Sequence, residues 1–190
     1  MENQVTEIEL KYCPSCGKKT LIYLNRRHWV CSDCGFDLYN NVAAAVGLLF
    51  IITKEIEGNK LKLLLCTKRG KEPRKNYFGL PGGFVDPNES AEEACFRECK
   101  EETGMEPESV KYICSYQNTY WYKNIEYKTC DLFFLAQVSD NTVFEKLVPE
   151  DAEEITSYQF FPVNTVDEIK AIPFAFPSAE YALLSWLETQ

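Results

Sequence analysis

No stretch of the 190-residue chain reaches the roughly 18 consecutive apolar residues that a membrane span requires, so no membrane partner is expected. The first ten residues, MENQVTEIEL, lack the basic start and apolar core of a secretory leader, and the expected home is the cytoplasm. Internal repeats and low-complexity tracts are missing too, which sets aside solenoids and fibrous arrays. Histidine is nearly absent, with His28 the single one. Basic charge is short: 20 Lys and Arg against 29 Asp and Glu leave a formal charge of −9. An acidic body is a poor nonspecific partner for nucleic acid. Only one segment runs the other way, where Lys11, Lys18, Lys19, Arg26 and Arg27 face Asp33 and Asp37 alone, and it keeps a local nucleic-acid contact open.

What the chain does have is enough length for one substantial core and a small appended module. Residues 11–41 are short, cysteine-rich and basic, and form the expected module; residues 42–190 form the expected main domain. The run VAAAVGLLFII from Val42 suits a strand buried on both faces, with KLKLLLCTKR as its hairpin partner. The segments VKYICSYQNTYWY, IEYKTCDLFFLAQV and SYQFFPV read as further strands. Ser178 to Glu188 reads as a helix started by Pro177 and Ser178, with Tyr181, Leu184 and Leu187 or Trp186 on its apolar face.

Nine cysteines in a chain without a leader argue for reduced thiols and metal. Cys13, Cys16, Cys31 and Cys34 form two Cys-x-x-Cys knuckles, each followed by a glycine. Four such thiolates suit a closed tetrahedral zinc site, whose metal would supply the folding energy a segment of about 30 residues lacks. Two disulfides or free thiols are the competing reading. His28 is a further candidate ligand, but four cysteines already complete the shell. Cys66, Cys95, Cys99, Cys114 and Cys130 lie among apolar neighbours and read as small core residues.

The stretch GFVDPNESAEEACFRECKEETGM, residues 83–105, crowds acids onto one predicted helix. Ser90 and Glu93 form a capping box and Gly104 is a terminator, so the helix spans Ala91 to Thr103. On the wheel Glu98, Glu101 and Glu102 share the arc of Ala91, Ala94 and Cys95, whereas Glu92 and Glu93 turn away. Arg97 reaches Glu93 or Glu101 at helical spacing. Like charges at these spacings destabilise a helix, and burying them is costlier still unless a cation is present. The wheel alone admits a hard-cation site or ordinary solubilising charge. Gly82 and Gly83, directly ahead, allow backbone to approach a metal or phosphate.

Gly83, Glu89, Arg97, Glu98, Cys99, Glu101, Glu102, Gly104 and Met105 stand at the spacings of the Nudix box, with Cys99 where an aliphatic residue is usual. The chain therefore resembles the Nudix hydrolases, and the cysteine module resembles the zinc ribbon of a subgroup that includes ADP-ribose and dinucleotide pyrophosphatases. The resemblance implies an α/β fold, an α/β/α sandwich with a mixed sheet behind a small zinc ribbon. It implies hydrolysis of a nucleoside diphosphate linked to another moiety, with Mg²⁺ or Mn²⁺ held by Glu98, Glu101, Glu102 and the Gly83 carbonyl. Glu89 and Arg97 would support that site, structural Zn²⁺ would sit on the cysteines, and a homodimer follows by analogy.

The general base varies in position within the family; Glu153 or Glu154 occupies a suitable place, and either reads equally as a solvated loop acid. Arg69 stands where the family often places a phosphate-binding base, or is a surface arginine. Among Tyr116, Tyr120, Trp121 and Tyr122, stacking on a nucleobase is expected of some members, Tyr116 and Trp121 being the candidates. The Ser-Gln-Pro-Trp-Pro-Phe-Pro type motif of NADH pyrophosphatases is replaced by YICSYQNTYWYKN, which speaks against NADH and leaves ADP-ribose, FAD or another small nucleotide conjugate. Two other readings remain, a nucleotide-sensing regulator that binds without cutting and a hydrolase that processes RNA caps.

Overall fold

A computed structural model describes residues 10–190 apart from 26–27, 57, 123–124 and 140. Arg26 and Arg27 of the basic segment, and Lys123 and Asn124 between the VKYICSYQNTYWY and IEYKTCDLFFLAQV strand readings, thus lie outside the described residues. Strands β1 (Leu21–Leu24), β2 (His28–Cys31) and β3 (Asp37–Tyr39) form a small antiparallel sheet. In this sheet Trp29 stacks on Tyr23, and His28 stacks on Tyr39 rather than joining the thiols. The Sγ atoms of Cys13, Cys16, Cys31 and Cys34 lie within 4.8 Å of one another, and the Cys13–Cys34 and Cys16–Cys31 pairs are 3.7 Å apart. Tetrahedral sulfurs around zinc at about 2.3 Å stand roughly 3.8 Å apart, so the four thiols fit that ion. The hydroxyl of Thr20 and the amide of Cys34 both donate toward Cys31 Sγ, which holds its thiol down to about 6 and favours the ligating thiolate.

Two more sheets follow. One orders β4 (Ala43–Leu49), β9 (Ile125–Gln137) and β8 (Ser109–Tyr122), with β4 parallel to β9 and β8 antiparallel to it. The other orders β10 (Ile155–Pro162), β6 (Asn59–Arg69) and β5 (Ile51–Ile56), with β7 (Phe78–Gly79) also on β6. The apolar run from Val42 is therefore not one strand. It divides at Phe50, its first half pairing with β9 and only its second half forming the hairpin with β6.

Strand alternation sends successive side chains to opposite faces, and each face has its own core. Leu49, Leu64, Cys66 and Phe133 pack under helices α2 (Val166–Lys170) and α3 (Pro177–Leu187). Leu48, Leu65, Phe134 and Ala136 pack under α1 (Ala91–Thr103). The result is the expected α/β/α sandwich with mixed pairing. Cys66, Cys95 and Cys99 are core residues as read, while Cys114 and Cys130 are half-buried. The buried stripe of α3 is Ala179, Ala182, Leu183 and Trp186; of the predicted face Trp186 is buried, Leu184 and Leu187 are half-buried against the same core, and Tyr181 is 48% exposed. Among the described residues no helix is long and apolar enough to cross a membrane.

Metal analysis of the purified protein is expected to find about one zinc per chain, one tetrahedral shell for four thiolates. Cys31→Ser should reduce that content severalfold, and a metal-free native ribbon would contradict the fit.

Candidate active site

The capping box forms as read: Ser90 Oγ accepts from the Glu93 amide, Glu93 reaches back to the Ser90 amide, and Gly104 ends α1 in the left-handed region. This fixes the helix phase, and with it which acids turn inward. Exposed Glu92 and Glu93 face solvent, whereas the Glu98 side chain is only 12% exposed.

Residues 81–85 run beside the free edge of β4, through bonds from Val46 N to Gly83 O (2.8 Å), Leu48 N to Pro81 O (2.8 Å) and Val85 N to Ala44 O (3.0 Å). Two glycines make this possible. Gly82 has φ 145°, and a Cβ there would stand 2.1 Å from the Val46 carbonyl. A Cβ on Gly83 would stand 2.5 Å from Glu98 Oε1. The Gly83 carbonyl, besides accepting from Val46, retains a second lone pair.

Arg97 is the hub of the carboxylates. Its Nε and one terminal nitrogen grip both Glu89 oxygens at 2.9 Å, and that same terminal nitrogen reaches the Phe84 carbonyl at 2.9 Å. Its other terminal nitrogen donates to Glu98 at 2.8 Å and Glu101 at 3.3 Å. Glu93 is occupied by the cap, so of the two predicted partners only Glu101 is met. The Arg97 hydrogen bonds hold the Glu89 carboxyl below its ordinary range. Glu98 goes the other way: burial raises it against the opposing Arg97 bond. Glu102 is pushed up to about 8, first by burial, with the Gly82 amide opposing at 2.9 Å and Glu98 and Glu154 adding repulsion. Inward carboxylates that share one guanidinium and repel one another have the electrostatics of a cation site, and an all-oxygen donor set fits Mg²⁺ or Mn²⁺.

These acids line a cavity of about 470 Å³ between the two large sheets. Glu98, Glu101 and Glu102 line it together with Arg69 and Glu154. Arg69 Nε donates to the Pro73 carbonyl at 3.1 Å, and its guanidinium lies 5.5 Å from the Phe176 ring centre. The loop bearing Glu154 is tied down by Gly70 N to Glu154 O (2.7 Å) and Glu150 N to Glu101 O (2.7 Å). Lys71 pairs with Asp151 and stands 4.0 Å from Glu154. Glu153 is not in the wall.

The aromatic candidates fall differently. Tyr116 bonds Ser185 at 2.7 Å and packs on Tyr181, beneath α3 and away from the cavity. Trp121 is on the opposite face of β8 from the wall residues Asn118 and Tyr120, and is 43% exposed. Tyr120 instead lines the cavity, its ring 5.7 Å from Phe84 and 5.6 Å from Phe176. Thr129 and Asp131 also line it, and sequence reading passed them over. Their signal was available: two polar residues sharing with Phe133 one face of β9.

The model of the NUDIX domain family matches residues 43–183. An ADP-ribose pyrophosphatase of Methanocaldococcus jannaschii is 47% identical over 83 residues, covering 44% of each chain. A NAD-capped RNA hydrolase of Schizosaccharomyces pombe is 29% identical over 113 residues, covering 55% of this chain and 30% of that one. The chain thus spans less than half the length of either curated relative. A NUDIX hydrolase structure from Nitrosomonas europaea superposes with a TM-score of 0.61 at 20% identity, covering 95% of this chain and 92% of that one.

A carboxyl whose pKa is raised by folding stabilises the fold while protonated, so that contribution is lost as pH climbs from about 4.5 toward about 8. Without divalent cations, the wild type should lose stability across that window relative to Glu102→Gln, and Mg²⁺ should restore it. Denaturant melts at several pH values measure this; parallel curves for the two proteins would contradict the burial of a charged Glu102.

Proposed function

This chain belongs to the Nudix family, and on that footing we propose that it is a divalent-metal-dependent pyrophosphohydrolase acting on ADP-ribose or a closely similar nucleoside diphosphate conjugate. The observation that carries the reading is the convergence of Glu98, Glu101 and Glu102 with Arg69 and Glu154 on one cavity. Its volume of about 470 Å³ suits a small conjugate. The 47% identity to a protein named ADP-ribose pyrophosphatase supports that choice.

Glu98, Glu101 and Glu102, with the second lone pair of the Gly83 carbonyl, would hold the cations. When bound, divalent cations there neutralise the diphosphate and lower the pKa of an attacking water. Arg97 keeps three carboxylates in register, so that a substrate meets preset oxygens. Arg69, itself steadied by Pro73 and Phe176, would meet phosphate oxygens in the same cavity and take up negative charge as the anhydride opens. Glu154 is 57% exposed, its only ionic neighbour is Lys71 at 4.0 Å among the pairs described, and it faces the cavity. In this reading Glu154 would take the proton from the water that attacks phosphorus in line. The cysteine cluster, in the same reading, holds a structural zinc and takes no part in the chemistry.

A reading as an RNA-cap hydrolase draws support from the fission-yeast relative. On the ribbon, however, Lys18 is already paired with Asp33 at 2.7 Å.

Incubation with ADP-ribose and Mg²⁺ should release AMP, and Glu102→Gln should lower kcat by about 10²-fold or more while preserving the fold. Product analysis over ADP-ribose, FAD, NADH and NAD-capped RNA checks the substrate. Binding of ADP-ribose without AMP release would overturn the hydrolase reading, and preferential cleavage of NAD-capped RNA would overturn the substrate.

A further inference from the structure

The cavity wall carries one further acid outside α1 and the loops, Asp131 of β9. Its Oδ1 accepts from Thr129 Oγ1 at 2.6 Å and its Oδ2 from Ser178 Oγ at 2.7 Å. Both hydroxyl protons are thereby committed to the carboxylate. An ionised carboxylate has about four acceptor positions and no proton to give, so two remain to a cavity occupant. Thr129 and Asp131 come from β9 and Ser178 from the first turn of α3, so two elements preset one acceptor. The rings of Phe84, Tyr120 and Phe176 line the same cavity, arranged as a chain of contacts at 5.6–5.7 Å.

Aromatic walls accept a flat π-face without regard to its identity. The discriminating contact must come from a polar group with a fixed preference, and Asp131 accepts only. We propose that Asp131 reads the base of the nucleotide, admitting one that presents an exocyclic amine, as adenine does, and rejecting one that presents a carbonyl there, as hypoxanthine does. This rests on the reading that a nucleoside diphosphate conjugate occupies the cavity. A carbonyl facing the carboxylate loses the hydrogen bond and adds lone-pair repulsion, and the Thr129 and Ser178 protons cannot rotate to rescue it without abandoning Asp131. Ribose hydroxyls also donate, and would be served equally by either base.

The test compares AMP with IMP in direct calorimetric binding, and ADP-ribose with its hypoxanthine counterpart in steady-state hydrolysis. The wild type should favour the amino base by at least about tenfold in both, chiefly through KM. Asp131→Asn, which offers a donor, should narrow or reverse the preference; Asp131→Ser should abolish it, with thermal melts confirming that the variants fold. Equal binding of AMP and IMP, or binding of neither, overturns the proposal, and equal binding also points to the ribose. A preference that survives in either folded variant overturns it too. Retained AMP over IMP discrimination without any turnover supports the base-reading role while removing the hydrolase reading.

Discussion

Everything at this site depends on turning several carboxylates of one helix inward. Taking an ion out of water costs several kcal/mol unless charge and hydrogen bonds replace the solvent. The molecule replaces part of it with Arg97, whose fork is shared among Glu89, Glu98 and Glu101, and with the amide of Gly82 on Glu102. One guanidinium and one amide do not balance that many acids, and the raised Glu98 and Glu102 carboxyls express the shortfall. The deficit is what makes the site a place for cations. The surrounding constraints serve the same end: the capping box sets the helix phase, and two glycines let backbone slide between β4 and Glu98.

The sandwich gives this arrangement its location. The chain leaves one large sheet and enters the other at Phe50, and the cavity opens between the sheets that the switch separates. Acids enter from α1, Arg69 from the end of β6, Glu154 from the loop before β10, and Asp131 from the middle of β9. Helix and strand elements thus hold the glutamates and Asp131 in the wall of one cavity, preset before any occupant enters.

Local chemistry made α1 legible in the sequence. Ser90, Glu93 and Gly104 act within a few residues of themselves, so the helix ends and the inward glutamates could be read without knowing the fold. The cysteine knuckles were legible for the same reason. What failed depended on distant packing. Nothing in VAAAVGLLFII marks Phe50 as the switch, because the partners β9 and β6 lie far along the chain. The α3 stripe was only partly read: Trp186 is buried as one of the predicted residues, but the centre of the stripe falls on Ala179, Ala182 and Leu183, whose burial is set by the core beneath and not by side-chain size. Tyr116 and Trp121 were displaced by simple geometry: Trp121 has the opposite strand parity from Tyr120, and Tyr116 lies four residues, about 13 Å, further along.

The central claim is that the inward acids exist to bind divalent cation. Titration of Mn²⁺ into metal-free protein, followed by the electron paramagnetic resonance of the free ion, tests it most directly. The account predicts that the wild type depletes the free signal at pH 8, that depletion weakens as the pH is lowered and the inward carboxyls protonate, and that Glu102→Gln largely abolishes it. Depletion that is the same in both proteins and indifferent to pH would contradict it.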